Sequence, residues 1–191
     1  MGNDIFVHKT AEVSPEAQIG AGTKIWHNSQ VLSGAVIGQN CVIGHNCLIA
    51  GGVKIGNGVK IQSNTDVWDG VTLEDFVFVG PSAVFTNDIN PRAKYPKPKE
   101  KWLPTLIKEG AMLGANSTIV CGAVVGKWAF IAAGAVVKGN VPDYALMVGV
   151  PAKRTGWICE CGNKLEFENG KAVCAVCRRE YAKKEEIVAE E

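Results

Sequence analysis

The chain has 191 residues, a formal net charge of +1 and a hydrophobic fraction of 47%. This length fits one principal domain with a small appendage, and the balanced charge argues against nucleic acid or an anionic membrane as a partner. No apolar stretch approaches the roughly 20 residues that cross a bilayer, and the first residues lack the pattern of a signal peptide, so we expect a cytoplasmic protein.

An apolar residue stands at every sixth position from Val7 to Phe85, and the period resumes from Ile107 to Val137. Helices repeat every 3.6 residues and strands every two, so neither element alone gives this period. A parallel β-helix does, because short strands joined by tight corners place large side chains in a shared interior. The residue three positions after each apolar residue is always Gly or Asn between Gly22 and Gly70. These two residue types adopt positive φ most easily, so the pattern predicts tight corners of positive φ.

Three hexads make one coil, so residues 18 apart should stack about 4.8 Å from each other. One predicted corner edge carries His27, His45, Ser63 and Pro81, and continues with Ala115 and Ala133. A second carries Ser33, Gly51, Asp69 and Asn87, and continues with Cys121. The sequence therefore predicts Asn87 directly above Asp69. Cys41 and Cys47 fall on interior positions, and we interpret them as packing residues.

The register breaks once, where 22 residues separate Phe85 from Ile107 instead of six. About 16 residues are therefore inserted in one coil, and we place the loop at about 88–106. Four prolines in this stretch exclude a ladder strand. A long loop on a regular scaffold is commonly functional.

Four cysteines near the end form the pattern C-x-C-x12-C-x2-C, namely Cys159, Cys161, Cys174 and Cys177. Paired cysteines across a hairpin-length spacer suit tetrahedral zinc, although the first pair has one spacer residue where two are usual. Unligated thiols and disulfides remain the alternatives. Four thiolates leave no open position, so the zinc would be structural.

We divide the chain into a β-helix domain, 1–156, and a zinc-ribbon-like segment, 157–191. We expect the charged end of this segment, from Glu180 to Glu191, to be a solvated helix or a frayed tail.

Three stretches carry a resemblance to a known family: VTLEDFVFVGPSAVFTNDINPRA (71–93), LGANSTIVCGAVVG (113–126) and FIAAGAVVKGNVPDYALMVGVPAKRTGW (130–157). They resemble the nucleotide-sugar N-acetyltransferases of the UDP-2-acetamido-3-amino-2,3-dideoxy-glucuronate type and their dTDP-3-amino-hexose relatives. These are left-handed β-helix acyltransferases, and the resemblance covers about residues 5–157. It implies that the β-helix is left-handed. Together with the register break and the cysteine pattern, it leads us to expect an all-β, left-handed parallel β-helix with one long inserted loop and a small C-terminal zinc-ribbon-like appendage.

The resemblance also implies a reaction: transfer of acetyl from acetyl-CoA to the 3-amino group of a nucleotide-linked sugar, for surface polysaccharide or glycan biosynthesis. The enzyme would be a homotrimer with active sites between subunits. The Phe-Thr-Asn string places Asn87 at the family's substrate-orienting asparagine. The other candidate residues are Asp69, Arg92 and Lys94 for the substrate, and Ala115, Ala133, Lys138, Lys153 and Arg154 for the cofactor.

Each candidate has a plainer interpretation. Asn87 could simply close a corner, Asp69 and Arg92 could be solvated, and the late lysines could be ordinary surface residues. His27 or His45 could act as a general base, but stacked corner side chains with a structural role are the favoured interpretation. No base is required, because a sugar amine with a pKa of roughly 8 is partly unprotonated at neutral pH.

Two other functions are weighed against this one. A zinc carbonic anhydrase built on the same fold needs three histidines per metal, two of them close in sequence, whereas this chain has three in all and no such pair. A non-enzymatic trimeric β-helix scaffold remains possible, but it would have no need of the loop with its FTN and NPR strings. A dTDP-linked 3-amino-dideoxyhexose is the alternative substrate.

Overall fold

The computed structural model describes residues 4–185 and 187–190, and these residues are almost entirely strands and turns. The chain winds into a three-sided prism in which strands 18 residues apart are neighbours on each side. The predicted left-handed parallel β-helix is thereby confirmed. We call the three sides face 1, face 2 and face 3, and number the strands in chain order.

Face 1 consists of β1 (Phe6–Val7), β4 (Lys24–Ile25), β7 (Val42–Ile43), β10 (Lys60–Ile61), β13 (Phe78–Val79), β16 (Met112–Leu113), β19 (Phe130–Ile131) and β21 (Ala145–Val148). Face 2 consists of two sheets. The first contains β2 (Glu12–Val13), β5 (Gln30–Val31), β8 (Leu48–Ile49) and β11 (Asp66–Val67), and the second contains β14 (Val84–Phe85), β17 (Thr118–Ile119) and β20 (Val136–Val137). Face 3 consists of β3 (Gln18–Ile19), β6 (Val36–Ile37), β9 (Lys54–Ile55), β12 (Val71–Leu73), β15 (Thr105–Ile107) and β18 (Val124–Val125).

The apolar residue of each hexad fills the interior, as the period of six predicts. Ile25, Ile43 and Ile61 on face 1 are completely buried. Val7 in the first coil is 41% exposed, because no earlier coil among the described residues covers it. Cys41 and Cys47 are buried at the inward-facing small positions, which confirms them as packing residues.

Corners of positive φ occur at every Gly and Asn position that the hexad singled out, with Asn28 at 57° and Gly34 at 83° as examples. Buried hydroxyls tie these corners to the next coil. The Thr23 hydroxyl donates to the Gly38 carbonyl at 2.8 Å and accepts the Cys41 amide at 3.0 Å. Such bonds satisfy backbone groups that the corner geometry takes out of the ladders.

The insertion has the predicted length. Val71 pairs with Thr105, an offset of 34 residues instead of 18, so one coil contains 16 extra residues. The ladders stop at Phe85 and resume at Thr105, which bounds the loop at 86–104. The predicted end at 106 was two residues too late, because Thr105 and Leu106 already pair with their neighbours in face 3. A single 3-10 turn, Lys99–Lys101, lies within the loop.

The C-terminal segment adds antiparallel strands to the last coil. β22 (Lys153–Ile158) pairs with β21 of face 1, and β23 (Lys164–Leu165) pairs with β22. The remaining strands β24 (Lys171–Val173), β25 (Glu180–Lys184) and β26 (Ile187–Glu190) form a separate meander. The expected helix or frayed tail from Glu180 was therefore wrong, apart from Glu186 and Glu191, which lie outside the described residues. The proposed division after 156 falls inside β22.

None of the described residues belongs to a helix of the length and hydropathy needed to span a bilayer.

Candidate functional site

Two corner edges of the prism carry the residues that the sequence singled out. The Asn87 edge, between faces 2 and 3, consists of Ser33, Gly51, Asp69, Asn87 and Cys121. Pairing of Val84 with Thr118 sets Asn87 beside Cys121, and the Cys121 amide donates to the Thr86 hydroxyl at 2.9 Å. The strands that precede Asp69 and Asn87, β11 and β14, are stacked neighbours.

The inserted loop leaves the prism at Asn87 and forms an open pocket with it. The pocket has a volume of about 410 Å³, and its walls include Asn87, Arg92, Lys97 and Trp102. The base of the loop is closed by an ion pair of 2.5 Å between Lys97 and Asp88. The hydrogen bond from Lys97 holds the pKa of Asp88 below its ordinary value, and the Asn90 amide adds to this effect.

The loop also folds back onto the coil below. The Lys99 ammonium lies 3.5 Å from the Asp69 carboxylate and 5.7 Å from the centre of the Trp102 ring. Asp69 is therefore a half-exposed carboxylate beside a lysine, not an isolated turn residue. Sequence reasoning missed Lys97, Lys99 and Trp102, because the loop has no repeat that indicates which side chains fold inward.

The two basic candidates of the loop are placed differently. Arg92 is exposed and lines the pocket with Asn87, and no ion-pair partner for its guanidinium is found in residues 4–185 or 187–190. Lys94 is not in the pocket wall and lies 5.6 Å from the ring centre of Tyr95. The structure thus brings Arg92, and not Lys94, next to Asn87.

The histidine edge lies between faces 1 and 2 and consists of His27, His45, Ser63, Pro81, Ala115 and Ala133. The rings of His27 and His45 are stacked in parallel, with centroids 4.9 Å apart. Ser63 Oγ lies 2.7 Å from Nδ1 of His45. His27 is on a different edge from Asn87 and follows β4, whereas Asn87 follows β14, so one chain does not bring the two side chains together.

Ala115 and Ala133 continue the histidine edge, because the Gly134 amide donates to the Ala115 carbonyl at 2.9 Å. Ala115 is half-buried and Ala133 is exposed. Small side chains on this edge leave backbone groups open to a ligand. Lys138 is exposed just after β20, and Lys153 and Arg154 begin β22. The guanidinium carbon of Arg154 lies 4.4 Å from the ring centre of Trp157.

The four predicted metal ligands meet in one cluster. All four Sγ atoms of Cys159, Cys161, Cys174 and Cys177 lie within 4.8 Å of one another, with 3.3 Å between Cys159 and Cys177. A tetrahedral zinc ion with Zn–S bonds of about 2.3 Å needs sulfurs about 3.8 Å apart. The donor set and its spacing therefore fit zinc.

The environments of the cluster thiols differ. Burial raises the pKa of the Cys159 thiol to about 12, whereas hydrogen bonds from Asn163 lower the pKa of Cys161 to about 6. Cys159 Sγ also lies 3.1 Å from the hydroxyl of Tyr181, a completely buried residue. A cation in the cluster would favour the thiolate form of all four cysteines.

The fold and its repeats agree with a known family. The model of the bacterial transferase hexapeptide family (six repeats) matches residues 16–51 and 104–139. The two matched segments cover less than half of the chain, so they show hexapeptide repeats in those segments. The inserted loop separates the two matched segments, so the repeat period continues on both sides of the loop.

Curated proteins that are similar to part of this chain include a sugar and a dicarboxylate acetyltransferase. It is 45% identical over 86 residues to the dTDP-3-amino-3,6-dideoxy-alpha-D-galactopyranose 3-N-acetyltransferase of Aneurinibacillus thermoaerophilus, over 45% of this chain and 44% of that protein. It is 39% identical over 77 residues to a 2,3,4,5-tetrahydropyridine-2,6-dicarboxylate N-acetyltransferase of Staphylococcus aureus, over 40% of this chain and 29% of that protein. The matches thus span less than half the length of these curated relatives.

Solved structures share the β-helix. The acetyltransferase domain of PglB from Neisseria gonorrhoeae, in complex with acetyl coenzyme A, has a TM-score of 0.55 at 23% identity, over 80% of this chain and 58% of that one. A mutant of AntD, an N-acyltransferase from Bacillus cereus in complex with dTDP and coenzyme A, also has a TM-score of 0.55, at 21% identity, over 77% of this chain and 82% of that one. At these identities the likeness shows the fold.

Proposed function

We propose that this chain is an acetyl-CoA-dependent N-acetyltransferase acting on the 3-amino group of a nucleotide-linked amino sugar. The observation that carries the proposal is the pocket at the root of the inserted loop, where Asn87 and Arg92 line one cavity. The 45% identity to a curated 3-N-acetyltransferase of a dTDP-linked sugar supports it. A scaffold would not need such a pocket.

The favoured substrate is UDP-2-acetamido-3-amino-2,3-dideoxy-glucuronate. Arg92 is the proposed partner for its carboxylate or diphosphate, because a planar guanidinium binds such groups in a bidentate manner. Asp69 is the proposed partner of a sugar hydroxyl, and Lys94 a weaker, peripheral contact for the phosphates. A dTDP-3-amino-dideoxyhexose is the second candidate, and the name of the Aneurinibacillus relative favours it.

The reaction needs positioning more than acid–base chemistry. The unprotonated amine attacks the thioester carbonyl, a C–N bond forms, and a tetrahedral oxyanion results. The oxyanion collapses, the C–S bond breaks, and the coenzyme leaves as a thiolate that takes up the proton lost by the nitrogen. Asn87 would hold the amine so that its lone pair faces the carbonyl, and a backbone N–H would stabilise the oxyanion.

A base-assisted form of the reaction would use His27, which a trimer could bring to the loop of a neighbouring subunit. Within one chain, however, His27 stacks on His45, and this arrangement supports the structural role. A His27→Asn variant distinguishes a catalytic from a structural role of His27. If His27 is the general base, the variant should show a large loss of kcat and a flattened pH profile. If His27 only stacks on His45, the variant should have a lower melting temperature and a near-normal kcat.

The proposed cofactor path follows the histidine edge. Ala115 and Ala133 would offer backbone groups to the pantetheine arm, because their small side chains permit close approach. Lys138, Lys153 and Arg154 would bind the phosphates at the nucleotide end. Asn87 and Ala115 lie on different edges of the prism. This separation supports a homotrimer whose active sites lie between subunits, with one edge supplied by each of two chains.

Zinc is the proposed occupant of the cysteine cluster, with a structural role. Cys159, Cys161, Cys174 and Cys177 would fill all four positions and leave none for substrate. Four thiols held this close require a reducing compartment, which supports the cytoplasm as the proposed location.

Ligand-induced thermal stabilisation tests the function. Acetyl-CoA should raise the melting temperature. Acetyl transfer to a UDP- or dTDP-linked 3-amino sugar should then be detected as release of the coenzyme A thiol. The matching 3-hydroxy sugar, which lacks the nucleophile, is the control. Absence of stabilisation by any coenzyme A species would favour the trimeric scaffold over the enzyme.

A further inference from the structure

One strand joins the cysteine cluster to the proposed cofactor residues. β22 pairs with β21, the last strand of face 1, on one side and with β23 on the other. Lys153 and Arg154 at its start are exposed, Trp157 and Ile158 at its end are buried, and Cys159 follows directly. Because these six residues form one paired strand, displacement of its end also moves its start.

Trp157 lies between the β-helix and the cysteine segment. It pairs with Ala145 of β21 on one side and with Leu165 of β23 on the other, and only 4% of it is exposed. The Arg154 guanidinium lies against the same indole ring, in cation–π geometry at 4.4 Å. The indole ring is therefore one of the contacts that position the guanidinium.

The cluster itself is fastened to the last coil by two tyrosines. The Tyr181 hydroxyl lies 3.1 Å from Cys159 Sγ and accepts the Glu160 amide at 3.3 Å. Its ring meets that of Tyr144 edge-on, with centroids 5.3 Å apart, and the Ile158 amide donates to the Tyr144 carbonyl at 2.8 Å. The segment thus contacts the prism through residues adjacent to the metal ligands.

A segment this small needs a cross-link to hold its shape. Its hairpins meet at the sulfur atoms of the four cysteines, and binding of a structural metal to such a site contributes directly to the free energy of folding. Without metal, β23 would no longer be held against Trp157 and the indole would lose one of its two neighbours.

We propose that metal bound at the cysteine cluster fixes Trp157, and through it holds the Arg154 guanidinium where it receives a phosphate of coenzyme A. Trp157 is then a positioning residue, and the C-terminal segment serves cofactor affinity. This inference rests on the proposed function for its ligand, coenzyme A.

The test compares full-length protein loaded with zinc against the same protein treated with a chelator in reducing buffer. Equilibrium binding is measured for coenzyme A and for pantetheine, which lacks the nucleotide and its phosphates. We expect metal removal to raise the Kd of coenzyme A about tenfold, as loss of one charge-assisted hydrogen bond would. The Kd of pantetheine should not change, and added zinc should restore the tight binding.

Variants show whether the effect passes through Arg154. The Arg154→Gln variant lacks the guanidinium that is proposed to bind the phosphate. Coenzyme A should therefore bind this variant equally weakly with and without metal. In zinc-loaded protein, Trp157→Leu should reproduce the tenfold loss while keeping the metal content. Lys24→Gln, an exposed lysine on face 1 at the other end of the coil stack, is the matched control and should bind coenzyme A normally.

The outcomes separate the two proposals. If neither probe binds the zinc-loaded wild type, the acetyltransferase proposal fails and this inference fails with it. If coenzyme A binds and its Kd is unchanged by Trp157→Leu, this inference alone is overturned. Equal losses for coenzyme A and pantetheine in that variant would also overturn it, since the effect would then not be directed at the phosphate.

Discussion

Asn87 is the side chain on which the proposed chemistry depends most directly. It lines the loop pocket, and it is half-buried at the point where the chain leaves the prism. We expect Asn87→Ala to lower kcat/KM about tenfold or more, because the variant loses orientation of the amine. Steady-state kinetics would measure the loss, and size-exclusion chromatography should show an unchanged assembly.

A matched control for Asn87→Ala is Gln18→Ala, which removes an exposed amide from β3 far from the loop. The control should keep wild-type kinetics. Full activity in Asn87→Ala would remove this residue from the mechanism and leave it as a corner asparagine.

Asp88 holds the inserted loop through its ion pair with Lys97. Its pKa is lowered by that hydrogen bond, so the stabilisation is present above the unfolded-state pKa of about 3.9 and is lost as the pH falls through the folded-state value.

At neutral pH, Asp88→Asn should release the loop and accelerate tryptic cleavage after Lys94 or Lys99. Digestion followed by mass spectrometry would measure this, with Asp66→Asn on β11 as the control outside the loop. Equal cleavage rates would show that the pair does not hold the loop.

Site residues within the hexad repeat could be placed from the sequence, whereas those in the inserted loop could not. The proximity of the strands before Asp69 and Asn87, β11 and β14, follows from counting in steps of 18, so it could be predicted, although the two strands are not joined in one ladder. The contact of Lys99 with Asp69 and the position of Trp102 in the pocket wall could not, because loop side chains lie outside the period of six. Arg92 was the stronger candidate in sequence because of its planar guanidinium, and the structure places Arg92, not Lys94, in the pocket wall.

At the scale of the coil, buried hydroxyls join one corner to the next. Ser29 donates to the Gly44 carbonyl at 2.6 Å and accepts the Cys47 amide at 3.0 Å. Ser29→Ala should destabilise the fold by about 1–3 kcal/mol, because two buried backbone groups lose their partner. Denaturant unfolding at a fixed protein concentration would measure the change.

Ser117 provides the comparison, since it occupies the same hexad position and is also completely buried. Its hydroxyl has no hydrogen-bond partner among the described residues. Ser117→Ala should therefore be neutral or stabilising, because it removes an unsatisfied buried group. Equal destabilisation by the two substitutions would show that the hydroxyl bonds do not hold the coils together.

The strand content of the C-terminal segment shows where sequence patterns fail at this scale. The cysteine spacing predicted the cluster, because ligand chemistry restricts spacing strongly. The run after Glu180 is rich in charge, and its alternation is weak, so it indicated a solvated tail. In the structure Tyr181 and Val188 are buried on β25 and β26, and these two strands pair in an antiparallel manner.

At the scale of the whole molecule, the prism separates the two halves of the proposed site. Asn87 lies on the edge between faces 2 and 3, whereas Ala115 and Ala133 lie on the edge between faces 1 and 2. The repeat predicted both edges, since each corner falls at a fixed position in the hexad. It could not predict which edge of one subunit meets which edge of another, because that depends on side chains outside the interior.

Mixed trimers test whether one site draws on two chains. Asn87→Ala lacks the orienting amide, and Ala133→Trp should block the pantetheine path at an exposed corner. Each variant alone should be nearly inactive.

When equal amounts of the two variants are unfolded and refolded together, about one quarter of the interfaces in a cyclic trimer should pair an intact Asn87 with an intact Ala133. Activity should therefore return to about a quarter of wild type, measured as thiol release per subunit. No recovery would place both residues of a working site in the same chain, and would contradict active sites between subunits.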